Sequence, residues 1–212
     1  TNHSDIIIGS SGGHEVLYAL TNGAAHVDAV ELDPSIVKFV NNPEFAAYMG
    51  NLYQNPRVTL HNDEGRAYLR RQPRESYDVI QFVNNYTPVA IGSGALNLTE
   101  SYLLTKEAMK DFYDHLKPNG ILALHRGATL RVASTALAML EEEGVQNPEN
   151  SILIMNGEWD MFEAFLLKKG AWTQEDINKI NEYMKGHPHP TPRLYLWNPL
   201  DRAGSDPLYT KF

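Results

Sequence analysis

The sequence predicts one α/β domain built on a doubly wound, mostly parallel seven-stranded sheet whose last strand is antiparallel. Three observations lead there. Short apolar runs alternate with amphipathic stretches along most of the chain, as in successive βαβ units. The stretch Asp5-Ile-Ile-Ile-Gly-Ser-Ser-Gly-Gly-His-Glu15 reads as a buried strand, a Gly-rich turn and a helix start. Two late apolar runs are joined only by Asn156–Asp160, which suits a return strand better than a parallel crossover.

The elements follow in chain order. Ile6–Ile8 is strand one, and Glu15–Asn22 is its helix, with Val16, Leu17 and Leu20 on one face. Val27–Leu32 is strand two. Asp33 caps the next helix, with Pro34 in its first position. Val58–His61 is strand three, Glu64–Arg71 a short helix and Tyr77–Val83 strand four. Asn84–Asn97 is a long connection rich in Gly, Asn and small residues, and such loops are often active-site lids. Thr99–Leu116 has a helical pattern opened by Thr99. Pro118-Asn-Gly120 turns into strand five, Ile121–His125, and Thr129–Glu143 is a helix ended by Gly144. Ser151–Met155 and Phe162–Lys168 are strands six and seven. Thr173 caps a helix to Lys185, with Glu175 and Asp176 in its first turn. From Gly186 the chain is Pro-rich and aperiodic. The domain is therefore assigned to residues 1–185, and residues 186–212 to an extended tail consistent with truncation.

Composition narrows the function. The 212 residues carry a formal charge of −8, which argues against a nucleic-acid surface or an anionic membrane surface. There is no cysteine, so disulfides and thiolate metal sites are excluded, and no metal site is expected. No apolar run reaches the roughly 18 residues of a bilayer span, and no signal peptide is visible. The chain starts at Thr1 without an initiator Met, which suggests a fragment or an excised domain. The expected location is the cytoplasm, or the cytoplasmic domain of a larger protein. A homodimer is left open.

The site is expected at the carboxyl edge of the sheet. Gly9, Gly12 and Gly13 let the backbone turn sharply and approach a ligand. Glu31 ends strand two about 20 residues later, the spacing at which an acid accepts from both hydroxyls of a ribose. An adenosine-containing ligand follows from that pairing. Gly9–Gly13, Glu31–Asp33, Asn62–Gly65 and Val83–Tyr86 all fall at the same edge, where doubly wound sheets bind ligands.

The succession IIIGSSGGHEVL, VDAVELDPSIV, VTLHNDEGRAYLR, YDVIQF and LTESYLLTKEAMKDFYDHLKPNGILAL resembles a known group. It is the spermidine synthase-like (polyamine aminopropyltransferase) branch of the class I S-adenosylmethionine-dependent methyltransferases, which have a Rossmann-like fold. The resemblance covers about Asp5–Arg126, and more loosely reaches Lys185. It implies S-adenosylmethionine, or its decarboxylated form, as cofactor and a small-molecule acceptor. Gly9, Ser10, Gly12 and Gly13 would pass under the sulfonium and amino-acid part. Glu31 would hold the ribose, with Leu32 and Asp33 beside the adenine. Asp63 would accept from the adenine amino group, with Glu64 and Gly65 shaping that pocket. The segment after strand four would face the group being transferred.

Two departures from the family pattern matter. Aminopropyltransferases carry an acid in the Gly-rich turn and a catalytic Asp just after strand four, in a pattern like YDVIITDSSDP. Here the turn is Gly-Ser-Ser-Gly-Gly, and Val83 stands where that Asp is expected. A protonated polyamine needs carboxylates to hold it and a base to take its proton before it attacks carbon. Plain spermidine synthesis is therefore not expected, and no counterpart of the family's N-terminal hairpin domain is in the chain. A methyl transfer needing no strong base, an aminopropyl transfer using another acid, and a non-catalytic cofactor-binding module stay open.

Candidates for the reacting end carry two readings each. Asn84, Asn85 and Tyr86 either orient a nucleophile and bind the cofactor carboxylate, or form a turn with their own backbone. Glu100 is either a substrate contact or base at the cleft, or a residue favoured by the positive helix end. Tyr102 lines the site or is simply buried. Glu15 is within reach of the cofactor's ammonium. His125 is an acid-base group or a hydrogen-bonded structural histidine. His187-Pro-His189-Pro reads as a solvated turn.

Overall fold

In the computed structural model, residues 2–83, 102–126, 129–156, 163–187 and 194–211 are described. Five strands run parallel: β1 (His3–Ile8), β2 (Ala24–Glu31), β3 (Val58–Asn62), β4 (Tyr77–Val83) and β5 (Leu116–Arg126). They continue into β6 (Ile152–Asn156), β7 (Glu163–Lys168) and β8 (Tyr195–Trp197), giving the order β3-β2-β1-β4-β5-β7-β6-β8. β7 is antiparallel to both β5 and β6, and β8 is antiparallel to β6. The doubly wound, mostly parallel plan is as expected, with one strand more. The extra strand lies in the segment after Gly186 that was expected to form an extended tail. It escapes the periodicity reading because three residues are too few to show alternation.

The sheet is covered on both faces, which is why its central strand reads as an unbroken apolar run. Ile6 and Ile8 point to one face, where α5 (Lys106–His115) and α6 (Thr129–Glu142) bring Met109, Phe112, Val132 and Leu140. Ile7 points to the other face, where α1 (His14–Thr21) brings Val16 and Leu20, joined by Val40 and Tyr53. Beneath β6 and β7, Trp172 and Ile177 of the α7 region (Gln174–Gly186) pack on Leu153 and Met155.

Capping residues set the helix starts. Asp33 accepts from the Ser35 amide ahead of α2 (Pro34–Val40), as expected. A second such pair, Asn42-Pro43, opens α3 (Pro43–Tyr48). The single helix expected over 99–116 is corrected. Thr105 is extended (φ −77°, ψ 162°), and its side chain accepts from the Ala108 amide, so α5 starts at Lys106. The helical pattern runs through this break because Leu103 before it and Ala108, Met109 and Phe112 after it bury in the same core cluster. The expected turn at Pro118-Asn-Gly120 is a bulge inside β5: Tyr77 pairs with Leu116 and Val79 with Ile121, and Asn119 has φ 65°.

Candidate functional site

The carboxyl ends of β1, β2 and β3 meet at one rim, and hydrogen bonds weld their turns together. Gly9 and Ser10 amides donate to Val30 O at 2.8 and 3.1 Å. The Gly13 amide donates to Ser10 O at 2.8 Å and opens α1. The Asn62 side chain donates to the carbonyls of Glu31 and Leu32, and the Asp63 amide donates to Glu31 O.

Glu31 is the centre of this rim. Its side chain does not turn into bulk solvent; the residue is 7% exposed. Oε2 accepts from the Ser11 amide and Oε1 from the Asp33 amide, both at 2.9 Å. A carboxylate has about four acceptor positions, so roughly half remain for a ligand. Ser11 is held at φ 43°, a left-handed conformation that is uncommon for a non-Gly residue.

The glycines have separate reasons. A Cβ on Gly12 would meet nothing within 4 Å, and Ser11 and Gly12 are exposed, so the turn is open there. Gly13 has φ 86°, and a Cβ on it would lie 2.5 Å from Leu52 Cδ2. Gly65, at the start of α4 (Gly65–Leu69), would drive a Cβ to 2.2 Å from Ile8 Cγ2. Both positions are glycine because protein packs there.

Ser10 is fully buried, and its Oγ has no hydrogen-bond partner among the described residues. Such an orphan in a native turn calls for an explanation, and a ligand is one. The buried hydroxyl, the open flank at Gly12 and the half-used carboxylate of Glu31 together fit an adenosine-based group bound across the turn.

The remaining expected residues sort as follows. Leu32 is 55% exposed beside Glu31. Asp33 and Glu64 lie at the rim, but their carboxylates cap α2 and α4; Glu64 accepts from Arg66 and Ala67 amides. Asp63 accepts from the Glu64 amide and pairs with Arg71. Glu15 is in the first turn of α1, half-buried, with no polar side-chain partner among the described residues. Val83 ends β4 opposite His125 of β5. Tyr102 lies against the Arg66 guanidinium, 4.2 Å from ring centre to cation, and its carbonyl accepts from Arg66. Asn84, Asn85, Tyr86 and Glu100 lie outside the described residues.

Two residues near the rim, Arg66 and Tyr53, escaped sequence reading. Arg66 is buried and ion-paired to Asp111 at 2.5 Å, so it ties α4 to α5. Asn62, read at this edge within Asn62–Gly65, is the last residue of β3. Tyr53 has no local signal: it lies about 40 residues from the turn it touches. Its phenol donates to Ser10 O (3.0 Å) and Ser11 O (2.8 Å). Burial, opposed by the bond to Ser10 and aided by the charges of Glu31 and Glu15, pushes the phenol up to about 12.

Solved structures share this fold. One is a spermidine synthase in complex with the transition-state analogue AdoDATO, 17% identical with TM-score 0.61, covering 82% of this chain and 57% of that one. Human methyltransferase-like protein 13 in complex with SAH is 17% identical with TM-score 0.60, covering 94% and 86%. A probable spermidine synthase from Corynebacterium glutamicum is 15% identical with TM-score 0.60, covering 92% and 66%. The chain thus spans little more than half the length of the first of these. The fold is that of class I methyltransferases and spermidine synthases. Residues 6–144 match the model of the spermine/spermidine synthase domain, and the chain belongs to that family.

Proposed function

We propose that this chain is an S-adenosylmethionine-dependent transferase of the spermidine synthase-like group that acts on a small-molecule acceptor and is not a plain spermidine synthase. One observation carries the reading: a buried carboxylate, Glu31, braced by two backbone amides at the open rim with acceptor positions to spare. Similar structures hold AdoDATO and SAH, which supports a ligand of that kind, S-adenosylmethionine or its decarboxylated form.

When bound, the sulfonium supplies an electrophilic carbon. The chain's own residues then bind and orient. Glu31 accepts from the ribose hydroxyls, and the exposed Leu32 offers apolar surface to the base. Asp63 keeps acceptor capacity beyond its bonds to Arg71 and the Glu64 amide. Glu15, without a polar side-chain partner among the described residues, would meet an ammonium. Val83 offers no carboxylate beside the reacting carbon, so transfer of a methyl group to a neutral or already activated acceptor suits this site, where positioning does most of the catalysis. Aminopropyl transfer is the alternative, with Glu100 or another acid holding the amine. A non-catalytic cofactor-binding module is favoured by the same missing acids.

Calorimetry with S-adenosylmethionine, its decarboxylated form and methylthioadenosine tests the reading. Glu31→Ala is expected to weaken whichever binds by about 1–3 kcal/mol, the scale of lost charged hydrogen bonds. Unchanged affinity would remove the ribose assignment. Preference for the decarboxylated form selects aminopropyl transfer, and tight binding without turnover on amine, thiol and oxygen acceptors selects the module.

A further inference from the structure

The Gly9–Gly13 turn is held from outside as well as from within. Ser11 is its strained residue, exposed and left-handed at φ 43°. Its amide is fixed by Glu31 Oε2, and its carbonyl by the Tyr53 hydroxyl. The same hydroxyl reaches Ser10 O, which also accepts from the Gly13 amide. A phenol has one proton, so the two carbonyls share it. Tyr53 sits in the short helical turn Leu52–Gln54, is 6% exposed and belongs to the core beneath α1. Gly13 carries no side chain, and this lets Leu52 and Tyr53 come up under the turn.

We propose that Tyr53 is a positioning residue: it presets Ser11 in the left-handed shape that aims the Ser11 amide at Glu31, and so fixes the carboxylate that grips the ligand's sugar. The proposal rests on the nucleoside reading for its effect on affinity, and on the turn alone for its effect on conformation. The order of causes runs from Tyr53 to the Ser11 peptide, then to Glu31, then to the ligand. Tyr53 itself touches no ligand in this scheme. Losing its hydroxyl frees the Ser11 peptide to leave the left-handed region, and Glu31 loses one of its two braces. The phenol stays protonated across the ordinary pH range because burial raises it to about 12, so the donor is always present.

Tyr53→Phe keeps the ring and its packing and removes only the hydroxyl. In the ligand-free protein, exchange of the Ser11–Gly13 amides is expected to accelerate about 3- to 10-fold, the factor for one neutral hydrogen bond. The Kd for S-adenosylmethionine by calorimetry is expected to rise by about the same factor. Adding Ser11→Gly to Tyr53→Phe is expected to recover most of the affinity, because Gly adopts positive φ without the cost that Ser bears. Loss of core packing would not be recovered by a change at Ser11. The proposal is overturned if Tyr53→Phe leaves exchange at the turn unchanged, or if Ser11→Gly restores none of the lost affinity. If the parent protein binds no S-adenosylmethionine, the functional reading falls. The exchange measurement then still decides whether Tyr53 holds the turn.

Discussion

Glu31 and Asp28 stand on the same strand and use their carboxylates differently. Glu31 gives half its acceptor capacity to backbone amides and keeps the rest at the rim. Asp28, in mid-strand, is engaged by protein alone: His61 at 2.8 Å, the Tyr77 hydroxyl at 2.8 Å and His26 at 3.2 Å. Burial works against its ionised form, but these hydrogen bonds outweigh it and hold its carboxyl below the ordinary aspartate range. A lowered folded-state pKa gives stability that is present above the unfolded value and lost as pH falls through the folded one. Asp28→Asn is therefore expected to cost about 1–3 kcal/mol at pH 7. Its deficit relative to the parent should shrink below about pH 4. Urea unfolding at a series of pH values reads this directly. Gly65 gives a second residue-scale prediction. Gly65→Ala is expected to destabilise by about 1–3 kcal/mol through overpacking on Ile8. The cost should fall in an Ile8→Ala background, as a double-mutant cycle would show. Glu31, Asp33 and Gly65 were all legible by position, but the reason for Gly65 was not, because Ile8 lies on β1, far from α4 in the chain.

At the scale of elements, side-chain caps explain where helices begin. α7 carries a full capping box: Thr173 accepts from the Asp176 amide, and Asp176 accepts from the Thr173 amide. Asp176 also pairs with the buried Lys168 of β7 at 2.6 Å. Burial opposes its ionised form, and the bonds from Lys168 and Thr173 prevail, so its carboxyl is held low. Thr173→Ala is expected to cost about 1 kcal/mol of unfolding free energy. It should leave ligand affinity unchanged, since α7 lies under β6 and β7 and away from the rim. Chemical denaturation together with calorimetry separates the two effects. The caps at Asp33 and Thr173 were readable because each pairs a capping residue with Pro or an acidic first turn. Thr105 carries the same signal, an acidic first turn at Glu107, and was missed because the helical pattern opened at Thr99 runs through it.

Across the whole molecule, the segment after Gly186 completes the core. Trp197 of β8 is 3% exposed, and Tyr209 is 5% exposed; both join the main cluster on the α5–α6 face. Tyr209 also meets the Thr129 hydroxyl at the head of α6, beside Glu163 of β7. Trp197→Ala is expected to cost about 3–5 kcal/mol, the range for emptying an aromatic core position. The loss should appear as a large drop in melting temperature. Among the described residues no helix is long and apolar enough to cross a membrane. The sequence by itself determined the succession of the first seven strands, the Gly-rich turn and the acid that closes strand two, because these depend on period, turn chemistry and spacing within a short stretch of chain. Only the tertiary structure decided that the Tyr53 hydroxyl bonds the carbonyls of the turn, that Ile8 and Leu52 crowd Gly65 and Gly13, and that the tail adds an eighth strand. Those facts arise from contacts between residues far apart in the chain, and local pattern carries no record of which distant side chain will fill a given space.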